Sequence, residues 1–486
     1  MPASAMLLAV CCLAQFMVVL DVSIVNVALP QMRQALHLSV TGQQWVVNAY
    51  TLTFAGFLLL GGRAADLFGR KRIFLLGLGL FTLCSLLGGL AQSGTWLILA
   101  RAAQGLGGAV LAPATLSVLT TSFPDPEQRR RALGAWSATA ASGAAIGVLL
   151  GGVLTALLDW RWVLFVNVPI GVLLIATAVP VMAESRDTTT RRSLDLPGAV
   201  TVTAGLAVLV YGIVGTDSHP WGSARTLVAL GVGAALLAVF AAIETRWAAR
   251  PLVPFGVFRR RSLSAANGIA VTIGAALFGM YFFLSLYVQQ INGYSPLRAG
   301  FAFLPVGLAT LLGALVAPRL LPYLGARRQL VLGPAVAAGA LVWLTTLSPG
   351  AGYWGHLFGP LVLSGLGFGL SFVPMTIAAT ADVPHHEQGL ASGLINTTRQ
   401  VGGALGLAIM ATVAAAAAHH AGPRVTAAAL TSGYDQAFGI AALVLVMGAC
   451  LSLFLPSRRP SATLPAPAAD GADHHELTDP PVRVDA

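Results

Sequence analysis

Charge is scarce in this 486-residue chain: 9% of its residues are Asp, Glu, Lys or Arg, against 56% hydrophobic. With a mean hydropathy of +0.78, that cannot solvate the surface of a soluble domain, so most of the chain belongs in lipid. Lysine is scarcer still. Lys71 is the sole one, and it stands in no glycine-rich phosphate loop, which excludes a Walker-type nucleotide site and direct use of ATP. Cysteine is limited to Cys11, Cys12, Cys84 and Cys450. All four fall in apolar stretches, with neither a disulfide framework nor metal-ligand spacing. There is no GxSxG or HExxH, and nothing points to an enzyme.

Apolar runs of about 20 residues fill the rest, about fourteen in all, each long enough to cross a hydrocarbon layer as a helix. They begin with 6–29, which lacks a basic leader and continues unbroken to Leu29, so it reads as a retained span. The 54 glycines suit close helix packing in a bilayer. With an even count and the amino terminus inside, the inner loops hold Arg63, Arg70, Lys71, Arg72, Arg129, Arg130, Arg131, Arg186, Arg191, Arg192, Arg246, Arg250, Arg259, Arg260, Arg261, Arg319, Arg327, Arg328, Arg458 and Arg459. The outer loops hold Arg33, Arg161, Arg225, Arg298 and Arg424. That bias, roughly four to one, places both termini in the cytosol. The net charge of +10 therefore reads as topology, not nucleic-acid binding.

The densest charge lies between the second and third spans, in Gly62-Arg-Ala-Ala-Asp66-Leu-Phe-Gly69-Arg70-Lys71-Arg72. A plain anchor explains the cations but not Asp66, because a carboxylate at a helix carboxyl end opposes the dipole and needs a partner. Arg70 is one candidate, and the amino end of the thirteenth span near Ser392-Gly393 is another. The segment has an echo after the tenth span, where Gly325, Arg327 and Arg328 repeat Gly69, Lys71 and Arg72. Parallel six-span repeats are a transporter architecture. The expected fold is therefore an all-α membrane protein of two six-helix bundles, 1–183 and 263–456. Two extra helices occupy 184–262, and a disordered cytoplasmic tail covers 457–486. The tail's His474-His475 pair reads as solvated, not as a metal site.

Asp21 lies inside the first span, where a carboxylate is costly unless it faces a partner or a wet cavity. Only Asp435 is comparable, at the outer edge of the last span. Arg101, in the fourth span, is the matching base. Asp21 and Arg101 are about eight and five residues from their outer helix ends. At ~1.5 Å per residue, both sit roughly 8–12 Å below the outer surface. A guanidinium beside the carboxylate favours its ionised form, and parting them favours protonation, which is the logic of a proton-coupled switch. In the fifth span Gly134, Gly143, Gly147, Gly151 and Gly152 include a four-residue repeat, a face along which another helix can approach. Gln15, Asn26, Asn48, Gln104, Asn267, Tyr281, Tyr287, Gln289, Asn396 and Arg399 are candidate polar linings of a substrate cavity. Arg399 alternatively reaches back to the inner surface.

Together these segments resemble the major facilitator superfamily, in its fourteen-helix drug:proton antiporter branch. LDVSIVNVALP resembles the branch's first-helix motif, GRAADLFGRKR the loop motif, LARAAQG the fourth-helix motif and the 134–152 glycines the antiporter motif. The segment from Asp159 to Gly171 resembles the sixth-helix entry. Val148 departs from the antiporter motif, which usually has proline there. The resemblance implies proton-driven export of small amphiphiles such as drugs, antibiotics or dyes from a bacterial cell membrane. A self-made antibiotic or a siderophore is the alternative cargo, and proton-coupled import the alternative direction. It also implies Asp21 and Arg101 in proton coupling, Asp66 and Arg70 as an inner latch, no cofactor beyond the coupling proton, and a working monomer.

Overall fold

The computed structural model describes residues 3–123, 125–185, 194–217, 219, 221–248, 251–384, 387–420 and 426–456. The expected tail and Arg186, Arg191, Arg192, Arg250, Arg424, Arg458 and Arg459 lie outside the described residues. Among those described, the regular structure is helical with no strand. The first half runs α1 (Ala3–Ala35), α2 (Val40–Phe68), α3 (Arg70–Gly89), α4 (Gly94–Ser122), α5 (Pro126–Leu157), α6 (Trp162–Phe165) and α7 (Asn167–Val181). Then come α8 (Leu196–Val214), α9 (Ala224–Ala242), α10 (Arg261–Leu286), α11 (Pro296–Leu344), α12 (Phe358–Thr380), α13 (Gln388–His420) and α14 (Ala427–Ser452).

The helices overrun the apolar runs because polar caps start them. Ser39, Ser93, Asp125, Asp195, Ser223, Ser295 and Thr426 each accept a hydrogen bond from a first-turn N–H. A helix end near lipid needs such partners, since water is scarce there.

Twelve described helices are long and apolar enough to span a membrane. One is α11, whose 49 residues would reach about 74 Å at ~1.5 Å per residue, more than twice the hydrocarbon thickness. Gly325 breaks it with φ 73° and ψ 160°, the left-handed region that favours glycine, so the runs 299–321 and 328–347 are two crossings. Helix α5 contributes a shorter apolar stretch, Ala145–Leu157. Fourteen crossings are reached only by dividing α11 and crediting α5 with one.

Helices α1 to α7 pack mainly on one another, and so do α10 to α14. Between the two sets, α5 lies along α11 and α2 along α13. Helices α8 and α9 pair with each other, and α8 covers the α2–α13 seam. There Leu52, Leu206, Val210, Ala404 and Ala408 form a small apolar core.

Candidate functional site

Asp21 is fully buried and Arg101 is 2% exposed. Arg101 Nη1 donates to Asp21 Oδ2 at 2.5 Å and to Gln104 Oε1 at 2.7 Å, while Nε reaches the Val46 carbonyl at 3.3 Å. Asp21 Oδ1 accepts from Gln104 Nε2 at 2.8 Å and Asn167 Nδ2 at 3.0 Å. Ser85 Oγ accepts from the same two amides and donates to the Leu164 carbonyl at 2.8 Å. The Tyr50 ring lies 4.3 Å from the guanidinium carbon, a cation–π contact strengthened by exclusion of water. The carboxylate is thus held by one charged donor on Oδ2 and two neutral ones on Oδ1.

Sequence reasoning paired Asp21 with Arg101 and singled out Gln104, but did not assign Asn167, Ser85 or Tyr50 to the site. Asn167 had a signal, as the one amide in the apolar 162–183 run. Ser85 had none, because serines in apolar helices routinely bond their own backbone.

The α5 glycines lie against the same stretch of α1. A Cβ at Gly143, Gly147 or Gly151 would sit 3.1, 2.9 and 2.8 Å from the carbonyl oxygens of Phe16, Leu20 and Ile24. Both helices advance in steps of four, so the contact is continuous beside Asp21. Gly152 turns instead to α11, where a Cβ would sit 2.6 Å from the Pro296 carbonyl oxygen and 3.0 Å from the Gly300 Cα. Gly134 meets nothing within 4 Å and takes no part in the packing. Gly147→Val is expected to push α1 off α5 at a cost of about 1–3 kcal/mol. Thermal unfolding in detergent measures it, with Gly134→Ala expected to melt like the wild type.

In the 62–72 segment Arg70 Nη2 donates to Asp66 Oδ1 at 2.9 Å. Ser117 Oγ accepts from Arg70 Nε at 2.6 Å and donates to Asp66 Oδ1 at 3.1 Å. Arg70 also takes the Ser185 carbonyl on its N–H, and Lys71 Nζ donates to the Val179 carbonyl at 2.7 Å. Arg72 pairs with Glu184 at 3.5 Å, a residue the sequence reading passed over. Gly62 lies over Pro113 of α4. Gly69 has φ +110°, and a Cβ there would meet the Glu184 carboxylate. Of the two partners expected for Asp66, the structure uses Arg70. Among the described residues no hydrogen bond joins Asp66 to the amino end of α13, where a Cβ at Gly393 would meet Leu59 instead.

The sequence model described as Major Facilitator Superfamily matches residues 11–407. This chain belongs to the major facilitator superfamily. A cephamycin export protein from Amycolatopsis lactamdurans is 45% identical over 93% of this chain and 92% of its own. A puromycin resistance protein from Streptomyces alboniger is 41% identical over 92% and 90%. Among solved structures, a bacterial homologue of the lysosomal transporter Spinster, in an inward-facing and unoccupied conformation, aligns with TM-score 0.64. It covers 93% of this chain and 96% of its own at 17% identity, so it shows the fold. This facilitator is a multi-pass membrane transporter whose relatives include antibiotic export and resistance proteins.

Near Pro30 the facilitator's α1 is clasped to α10 and the turn Tyr287–Ile291 that follows it. Pro30 lies inside α1 and lacks an N–H, so the Asn26 carbonyl loses its helical donor. Ser285 Oγ of α10 fills that vacancy at 2.9 Å. Gln289 Nε2 donates to the Val27 carbonyl at 3.0 Å and its Oε1 accepts from Gln31 at 3.2 Å.

The remaining candidate cavity residues do not converge on one place. The Asn26 amide bonds back to Val22, and Gln289 belongs to the clasp. Tyr287 donates to the Ser348 carbonyl at 2.7 Å, and Tyr281 stacks on Phe303. Asn267 takes the Thr398 hydroxyl, and Arg399 pairs with Asn396 over the Phe372 ring. Gln15 Oε1 and both polar atoms of Asn48 are buried without partners. A cavity of about 500 Å³ between α13, α14 and Trp221 contains none of these residues. Asp435 is not at the edge of its span, as the sequence suggested. Helix α14 starts at Ala427, which puts Asp435 about 12 Å inside.

Proposed function

We propose that this facilitator exports small amphiphilic compounds, such as drugs, antibiotics or dyes, across the bacterial cytoplasmic membrane in exchange for protons. The observation that carries this reading is the buried Asp21–Arg101 pair, in which Asp21 Oδ2 has no second donor among the described residues. Protonation of Asp21 as Arg101 withdraws gives the cycle its proton step, and release to the cytosol resets it. The units 1–183 and 263–456 are the halves that rock, with 184–262 as an insert and both termini cytosolic. Gly62, Asp66, Gly69, Arg70, Lys71 and Arg72 form the inner latch, which closes on α13 when the outer clasp opens. The protein works as a monomer with no cofactor but the proton. A self-made antibiotic is the favoured second reading of the cargo, because relatives are named for export of cephamycin and tetracenomycin C.

Energy limits the outcome. One proton per cycle gains ~2.3 kcal/mol per 100 mV and roughly 1.4 kcal/mol per pH unit. At ~1.4 kcal/mol per decade these sustain about a 500-fold gradient of a neutral compound. A monovalent cation exchanged for one proton moves no net charge and feels only the pH difference. Everted vesicles test the reading. Energised vesicles are expected to accumulate the compound and to lose it when a protonophore collapses the gradient. Accumulation that survives the protonophore unchanged sinks proton antiport.

A further inference from the structure

Two acids outside the proposed transport path meet where the inserted helices reach the cytosolic side. Asp195 caps α8, its Oδ1 accepting from the Gly198 N–H at 2.8 Å. Glu244 lies in the π-helical turn Ile243–Trp247 that ends α9, and its Oε2 accepts from the Val253 N–H at 3.0 Å. They are 7% and 5% exposed. Each keeps one buried oxygen with no hydrogen-bond partner among the described residues, Asp195 Oδ2 and Glu244 Oε1. The two side chains stand within hydrogen-bonding reach of each other.

Two ionised carboxylates at that separation, out of water, repel strongly, and neither oxygen has a donor to offer the other. One added proton removes the conflict. It converts two facing acceptors into a donor and an acceptor, the strong O–H···O⁻ arrangement. We propose that Asp195 and Glu244 form a second proton-binding site, a carboxyl pair that takes one proton from the cytosol and shares it.

The surroundings fit this ligand. The walls are apolar, with Leu60, Ala199 and Leu252 buried there and Phe57, Leu194 and Val253 packed against them. The charge that α2 brings to this corner is Arg63, whose Nη1 donates to the Pro251 carbonyl at 3.4 Å. The turn Ile243–Trp247 adds Arg246, which is exposed, and residues 251–254 carry no charge. The pair therefore ties three things together: the cap of α8, the end of α9 and the 251–254 segment that touches Arg63. Arg63 belongs to the 62–72 segment, so the proton's presence bears on the inner end of α2. It enters and leaves unchanged, with no covalent step.

This site is independent of Asp21, and its test needs no transport. Infrared difference spectra of the purified full-length protein are expected to show a carboxylic acid C=O band that disappears as pH rises. The band is absent from both Asp195→Asn and Glu244→Gln, and persists in Asp21→Asn. Asn caps helices as well as Asp does, and Gln keeps an acceptor for Val253, so both variants retain the fold. Hydrogen exchange supplies the second readout. The Val253 amide is expected to gain about tenfold in rate beyond its intrinsic pH dependence in the wild type and to stay flat in Glu244→Gln. A band unaltered in both variants overturns the proposal. So does a spectrum with no acid band at any pH together with Val253 protection that depends on divalent cations.

Discussion

Asp21→Asn stops proton-driven accumulation in everted vesicles, with a fall of at least about tenfold expected. Asparagine keeps the shape of aspartate and an Oδ1 acceptor for the Gln104 and Asn167 amides. It cannot alternate between charged and neutral forms, so the cycle loses the step that a proton gradient can drive. Exchange of labelled for unlabelled substrate, with no gradient imposed, needs only the conformational change and is expected to continue. Full gradient-driven accumulation by the variant would remove Asp21 from the coupling step. Loss of both activities would make it a structural residue instead.

Arg101→Ala is expected to be the most damaging single change to stability, at about 3–5 kcal/mol. The mutation leaves the Asp21 carboxylate buried at full depth with only amides as donors. It also strips Gln104 Oε1 and the Tyr50 ring of their cation. Pairing it with Asp21→Asn removes the orphaned charge, so the double variant should regain most of the loss. A double-mutant cycle from detergent melting curves measures that coupling. Additive losses would mean that the pair is not a unit.

The helices and the pair were legible in the sequence for a plain reason. Lipid forces backbone groups to be satisfied within the segment, so apolar length alone marks each crossing. A carboxylate and a guanidinium at one depth have few other partners to find. The match of Gly69 with Gly325 was legible from their charge patterns, whereas the positive φ that both adopt, 110° and 73°, was not read from it. The neutral side of the Asp21 site was harder to see. Asn167 and Ser85 reach it from α7 and α3, and no periodicity says which way a single amide or hydroxyl on an apolar helix points. The candidate cavity residues scattered for the same reason: polarity was visible, direction was not. Asp435 was misplaced because α14 begins before its apolar run, at a Thr426 cap.

The clasp around Pro30 divides its work unevenly between its two sides. Ser285 of α10 and Gln289 of the turn Tyr287–Ile291 that follows it supply side chains, whereas on α1 residues 26 and 27 supply only carbonyl oxygens and Gln31 alone adds a side chain. A carbonyl is the same whatever residue carries it. A selection for leaky transporters should therefore recover changes at positions 285, 289, 30 and 31, and pass over 26 and 27 however thoroughly they are sampled. One partner in the seal is open to mutation, and most of the other is shielded from it by being backbone.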